Sequence, residues 1–395
     1  MKKAFLFVVL ILIGCNLRNQ NSYDNLTIEE ILQLPDEEIN IGIASLVMAK
    51  EFYPDMDIDF FIHSFDSLAN RFNKFFGQHT DPDQRIRALN TFLYKPGAWN
   101  KGRIFSYDNY DLEAEELNNR FINGYITTKK GSCITMPLLY VVLAERLDWP
   151  IYPVLTPKHF FMRYVPEKPI PGFQKNIEAT NGGSYVSDEQ YQEDFQIPEK
   201  AIKNGVYLRT LTKKEYLASL LLINAIQHLE NNNIEKGKKY LELCMKYDST
   251  LSLAYWDYAQ LHLDEAQKLE DELYLEKLKE TISYCESLNI KTPKIQETEN
   301  KKSLEYSGIE LSDKNILGDL LTKITQTNKK EVVEELNNSL IKIREKYKPL
   351  ILSKMEIYKE NKEKAEQLGV VLAFSSEFLE KQAGSIEMFK EKGGY

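Results

Sequence analysis

Gly131-Ser132-Cys133-Ile134-Thr135-Met136-Pro137-Leu138-Leu139-Tyr140 is the stretch whose reading decides the fold. A glycine and a serine lead into a cysteine. An apolar run follows, with Met136, Leu139, Tyr140, Leu143 and Leu147 at helical spacing. The spacing predicts a helix over 133–147, with Pro137 in the first turn, where a missing N–H costs little. The start of a helix favours a thiolate, because unpaired N–H groups and the macrodipole place partial positive charge there. Gly131 permits close backbone approach. The Cys133 N–H is placed to donate to a developing oxyanion.

Downstream of Trp149-Pro150 the character changes to short β-like runs. Residues 151–155 and 159–165 read as strands broken by Pro157, and 175–179 as a third strand ended by Gly182-Gly183. Lys158-His159-Phe160-Phe161 sets a histidine at the mouth of the second strand. Ile177-Glu178-Ala179-Thr180-Asn181-Gly182-Gly183 sets a carboxylate on the third. Taken singly, each residue has an ordinary reading: a small buried cysteine, a hydrogen-bonded core histidine, turn chemistry before Asn-Gly-Gly. Taken together, on helix, strand and strand, they supply what cysteine acyl transfer needs. Cys133 is the nucleophile, His159 the base and then the acid, and Glu178 the group that orients the ring, with Asn181 as its substitute or helper.

In that order these residues resemble the transglutaminase-like superfamily, whose core is papain-like. The likeness runs over about 36–263. It is strongest at Gly131 to Tyr140, at Pro157-Lys158-His159-Phe160 and at Asn181-Gly182-Gly183, and looser at Ile41 to Met48, at Ala49-Lys50-Glu51-Phe52-Tyr53-Pro54 and at Ala88-Leu89-Asn90-Thr91-Phe92-Leu93-Tyr94. It is closest to a bacterial subgroup with a helical N-terminal segment and tetratricopeptide-like helices after the core. Many members of that subgroup lack the cysteine, which this chain has. The family acid is usually aspartate, and here it is Glu178, one methylene longer. The resemblance implies an α+β fold with a small antiparallel sheet, and acyl-transfer or amidase chemistry without a cofactor.

The chain opens on Lys2-Lys3 and an apolar run from Ala4 to Ile13, too short to span a bilayer comfortably. It closes on Leu12-Ile13-Gly14-Cys15, which resembles the bacterial lipobox, whose cysteine is lipidated. Residues 1–15 are therefore expected to be a lipoprotein signal that tethers an exported protein at the cell envelope through Cys15. The polar stretch after it suits a tether. The formal net charge is −9, and removing the signal takes away two more lysines. With no basic cluster in the sequence, nucleic acid is not the expected partner. At 43% hydrophobic residues the chain has enough apolar side chains for real cores. Besides Cys15 there are Cys133, Cys244 and Cys285. The last two fall on predicted helices, as buried thiols or as one bridge; either leaves Cys133 unpaired.

Helices are expected over 36–52, 59–76, 82–93 and 112–121, with a capping box at Thr27 and Glu30 starting a short one before them and Asn123-Gly124 as a turn. Asp55, Asp57 and Asp59 alternate as in a calcium loop but lack its glycine. His79, Asp81 and Asp83 read as helix-capping residues rather than metal ligands. From Thr212 the chain is helical. Ala225 and Ala259, Leu229 and Leu263, and Tyr240 and Tyr274 each stand 34 residues apart, the tetratricopeptide period.

The expected organisation is a signal over 1–15, a transglutaminase-like domain over 27–205, tetratricopeptide-like helices over 212–292, a polar linker over 293–311 and charged helices over 312–391. The expected function is a membrane-tethered cysteine acyl-transferase or amidase acting on a carboxamide or peptide bond of a protein or peptide. The rival expectation is a catalytically silent copy of the fold that binds a protein partner through its helical repeats.

Overall fold

The computed structural model describes residues 23, 25–77, 79–292, 295–297, 302–304, 315–327 and 329–371. Cys15 and the rest of the expected signal lie outside the described residues, as does the last part of the expected C-terminal helices. The chain divides into two units, one of Met1–Tyr255 with Lys364–Tyr395 and one of Trp256–Glu363.

The first unit opens on α1 (Ile28–Gln33). Its capping box forms as the sequence requires: Thr27 accepts from the Glu30 N–H, and the Glu30 carboxylate accepts from the Thr27 N–H. The helix expected over 36–52 is instead a 3₁₀ turn at Asp36–Glu38 and then α2 (Ile41–Lys50), capped by Asn40. α2 is buried on nearly every side. α3 (Ile58–Phe76) and α4 (Pro82–Tyr94) are capped by Asp57 and Asp81, with Pro82 in the first turn of α4.

β1 (Ser106–Tyr107), α5 (Leu117–Arg120), α6 (Ile122–Thr128) and β2 (Lys130–Gly131) follow, with β1 and β2 paired in parallel. Two expectations fail here. The helix over 112–121 shrinks to the single turn of α5. Asn123-Gly124 is not a turn but lies inside α6. The glycine serves packing: a Cβ on Gly124 would stand 2.3 Å from the Asn118 carbonyl oxygen, so only glycine lets α6 close on the backbone of α5.

α7 (Thr135–Arg146) is buried from Thr135 through Ala144. Beside it lies an antiparallel sheet of β3 (Ile151–Thr156), β4 (His159–Tyr164) and β5 (Asn176–Ile177), in the order β3-β4-β5. The third strand is two residues long rather than the five expected over 175–179. β4 is the central strand and all of it is buried, which is why its sequence shows no polar alternation. The outer edge of β3 is covered by the chain at 208–211, where the Leu208 N–H bonds the Leu155 carbonyl and the Leu211 N–H bonds that of Pro153.

α8 (Asp188–Asp194) and α9 (Glu199–Lys203) precede a helical hairpin of α10 (Lys213–Glu230) and α11 (Ile234–Tyr247), turned at Asn231-Asn232-Asn233. α10 is fastened to α2, since the buried Asn224 amide donates to the Met48 carbonyl at 3.0 Å. The fold is α+β, and α2, α7 and the sheet form its centre.

α12 (Ser252–Ser287) corrects the expected second helix pair. It is one uninterrupted helix of 36 residues, so the 34-residue period does not produce a second hairpin. The reason is local. One period after the three turn asparagines the chain reads Glu265-Ala266-Gln267, all good helix formers. In the second unit, the expected linker contains a short antiparallel pair, β6 (Ile295–Glu297) and β7 (Lys302–Leu304). Among the charged helices expected over 312–391, α14 (Lys330–Leu368) is a single helix that runs through Pro349. Together with α13 (Asn315–Thr325), this unit has a small core of its own around Leu278, Cys285, Leu320, Ile324 and Leu336. No described helix is long and apolar enough to cross a membrane.

Candidate active site

Cys133 lies in the turn that leads into α7, two residues before the helix proper. Ser132 makes that turn. It is fully buried; its hydroxyl donates to the Asn119 carbonyl at 2.7 Å and accepts from the Ile134 N–H at 3.1 Å. Its own N–H bonds the Thr135 hydroxyl at 3.0 Å. Gly131 is required beneath it, because a Cβ would stand 2.6 Å from the Tyr125 ring and 2.7 Å from the Thr135 hydroxyl. Cys133 is held on a rigid turn while its own side chain stays partly exposed, and it is unbridged, as are Cys244 and Cys285.

The turn between β3 and β4 faces it. Pro157 fixes one backbone angle and Lys158 takes a positive φ of 53°, so the two residues close the strands tightly. That turn brings the Lys158 carbonyl to 3.6 Å from the Cys133 sulfur and starts β4 at His159. Along β4, residues two apart share a face. His159, Phe161 and Arg163 therefore point together at α8. Phe161 stacks on Tyr191 with centroids 4.0 Å apart, and Arg163 pairs with Asp188. His159 stacks on Phe195, centroids 5.4 Å apart.

The His159 ring joins the other two groups. Its Nε2 lies 2.7 Å from Oε2 of Glu178, and Cys133 is close enough to help keep the ring charged. With Nε2 committed to Glu178, Nδ1 is the nitrogen left for the thiol. Glu178 is itself saturated: Oε2 also accepts from the Tyr191 hydroxyl at 2.7 Å, and Oε1 accepts from the Thr180 N–H and hydroxyl at 2.9 and 2.6 Å. Asn181, the other candidate partner for the ring, is exposed and stands in the turn that follows. The longer glutamate side chain therefore reaches the ring.

Burial and charge oppose each other at this pair. Burial alone would push His159 down, but the Glu178 carboxylate, aided by Cys133, outweighs it and lifts the imidazole to about 10. Burial likewise works to raise Glu178, and the imidazolium with its other donors holds it below the ordinary carboxylate range. Tyr191 is driven upward by burial and by Glu178, so its hydroxyl remains a donor.

The Gly182-Gly183 turn behind Glu178 is clamped from α4. The Asn90 amide donates to the Gly183 carbonyl at 2.8 Å, and the Tyr140 hydroxyl donates to Asn90 at 3.0 Å. Tyr107 comes alongside Cys133 through the β1–β2 pair, where it is opposite Gly131.

Sequence reading missed Tyr191, Phe195, Asn119 and Tyr107. Thr180 was legible in principle, being two residues past an acid and able to cap it. The other four touch the site only through tertiary packing. The same packing unites Cys133, His159 and Glu178.

Residues 61–221 match the family model of the transglutaminase-like superfamily. This stretch is similar to transglutaminase-like domains. It contains Cys133, His159 and Glu178, and it ends within α10, whose Tyr216 packs edge-on against Phe160. Two curated relatives, the UPF0162 proteins of Xylella fastidiosa strains Temecula1 and 9a5c, are 22% identical over 162 residues, 40% of this chain and 52% of theirs. The chain thus spans about half the length of these relatives. No solved structure matches.

Proposed function

We propose that the transglutaminase-like domain is a cysteine acyl-transferase or amidase acting on a carboxamide or peptide bond. The observation that carries this reading is the buried His159–Glu178 contact at the head of the strand turn whose Lys158 carbonyl stands 3.6 Å from the partly exposed Cys133 sulfur. The proton of the Cys133–His159 pair rests on the His159 ring, and the Cys133 thiolate attacks the carbonyl carbon. The C–S bond forms as the carbonyl becomes an oxyanion, beside the Cys133 N–H. The C–N bond then breaks, and the His159 proton leaves with the amine. Water or a second amine attacks the thioester and gives its proton to His159, and the sulfur departs as the thiolate beside the protonated ring. Glu178 keeps the ring oriented and balances its charge throughout.

Tethering through a lipid on Cys15 belongs to the same proposal, supported by Lys2-Lys3, the apolar run and Leu12-Ile13-Gly14-Cys15. It predicts incorporation of labelled fatty acid that is lost in Cys15→Ser.

The catalytic reading is tested by the rate of Cys133 alkylation by iodoacetamide across pH, in wild type and in His159→Ala, with Cys244 and Cys285 replaced by alanine in both. A reactive thiol well below pH ~8, slowed at least ~10-fold by His159→Ala, is expected for a coupled pair. A rate indifferent to His159 would overturn the reading.

A further inference from the structure

Asp188 and Tyr191 on α8, and Phe195 just past its end, fall on one face at helical spacing. They meet β4 pair by pair. Asp188 takes Arg163, Tyr191 stacks on Phe161, and Phe195 stacks on His159. The first pair sets the register. The Arg163 Nε donates to the Asn176 carbonyl oxygen at 2.8 Å, and the Asn176 amide donates to Asp188 and to the Val186 carbonyl, both at 2.8 Å. The start of α8 is thereby fastened to β4 and β5. The second pair fixes the tyrosine ring, which lies 4.0 Å from the Phe161 ring, 13° from parallel, and is buried.

With the ring fixed, the Tyr191 hydroxyl reaches Glu178 Oε2 at 2.7 Å, the same oxygen that meets the His159 ring. A carboxylate oxygen holding two buried donors is fixed in direction, because rotation breaks both bonds. The Thr180 N–H and hydroxyl occupy the other oxygen. Four donors fill the four lone-pair sites of the carboxylate, so Glu178 acts only through the histidine ring. Burial and the Glu178 charge keep the Tyr191 hydroxyl protonated, and its donated bond favours the carboxylate over the acid. Tyr94 on α4 and Tyr107 on β1 also feel the Glu178 charge. The Tyr94 hydroxyl is buried without a hydrogen-bond partner, and that of Tyr107 goes to the Leu112 carbonyl.

We propose that Tyr191 is a positioning residue of the candidate active site, whose hydroxyl fixes the Glu178 carboxylate against the His159 ring. This role rests on the catalytic reading of Cys133 and His159. Tyr191 takes no part in making or breaking bonds; it acts through Glu178, and α8 exists at this place to deliver it.

The test compares the full chain in wild type and in Tyr191→Phe, which keeps the ring and its stack and removes the hydroxyl alone. Two titrations are followed. One is of the Glu178 carboxyl carbon by NMR, assigned by its loss in Glu178→Gln. The other is the rate of Cys133 alkylation by iodoacetamide, with Cys244 and Cys285 replaced by alanine. In Tyr191→Phe the Glu178 midpoint should rise by at least ~0.5 pH units, and the acid limb of alkylation should move with it, slowing the reaction on that limb at least ~3-fold. A merely structural loss would lower the melting temperature and leave both midpoints in place. Either midpoint unmoved, while His159→Ala still slows alkylation, would overturn this role and leave the catalytic reading standing. Alkylation indifferent to His159→Ala would remove that reading and this role with it. In wild type the Tyr191 hydroxyl proton should exchange slowly with water, which checks the bond without any variant; free exchange would also overturn the role.

Discussion

His159 Nε2 and Glu178 Oε2 meet at 2.7 Å with both side chains more than nine-tenths buried. Each keeps the other charged against the cost of burial. Glu178→Gln should therefore drop the His159 pKa well below about 10, because burial is then opposed chiefly by Cys133. Titration of the ring carbon resonances by NMR reads this directly. An imidazole still protonated at pH 8 in Glu178→Gln would show that another group holds the charge.

The same pair sets a pH window for stability. His159 is raised on folding, so its contribution is complete below about pH 6.5 and is lost as pH rises through about 10. Glu178 is lowered, so its contribution is present above about pH 4.5 and is lost as pH falls through its folded value. Melting temperatures from pH 6 to 10 should fall more steeply in wild type than in Glu178→Gln. The variant should also be less stable at pH 6, by an amount on the order of 3 kcal/mol. Parallel curves for the two proteins would mean the pair is not linked to folding.

Gly182 and Gly183 both have positive φ, at 62° and 77°, but their surroundings differ. Gly182 has open space where a Cβ would go, whereas at Gly183 it would stand 2.0 Å from the Asn90 amide oxygen. Gly182→Ala should cost only the backbone term, about 1 kcal/mol. Gly183→Ala should cost roughly 3 kcal/mol, since it also expels Asn90 from its bond to the turn. Denaturant unfolding of both variants checks the ratio.

Gly131→Ala should place a methyl group against the Tyr125 ring and the Thr135 hydroxyl, both under 3 Å away. Overpacking of this kind costs about 1–3 kcal/mol. Because Gly131 sets the turn that carries Cys133, alkylation of the thiol should change with it. Loss of stability with unaltered thiol reactivity would separate the glycine from the site.

Much of this was legible because it is local. Thr27 and Glu30 lie one helical turn apart, and their capping box needs nothing from the rest of the chain. Pro157 between two apolar runs announces a strand turn. The glycine before Ser132 and the Asn-Gly-Gly after Glu178 mark places where the backbone must bend or approach closely. Local reading failed where a residue's use depends on its neighbours in space. Asn123-Gly124 looks like a turn, yet α5 packs against the glycine and the helix continues. The 34-residue period is real in sequence, but without turn residues near Ala266 it yields one long helix.

Local chemistry set the α+β class and the helix and strands near which the cysteine, histidine and acid stand, since propensity, capping and turn chemistry act over a few residues; Cys133 falls in the turn before its helix and Glu178 just past its strand. Tertiary packing alone brought Glu178 rather than Asn181 to the His159 ring and set the Tyr191 hydroxyl on that carboxylate. Contacts of this kind arise when separate apolar faces bury one another, and the charged groups carried along must settle with whatever partners that packing supplies.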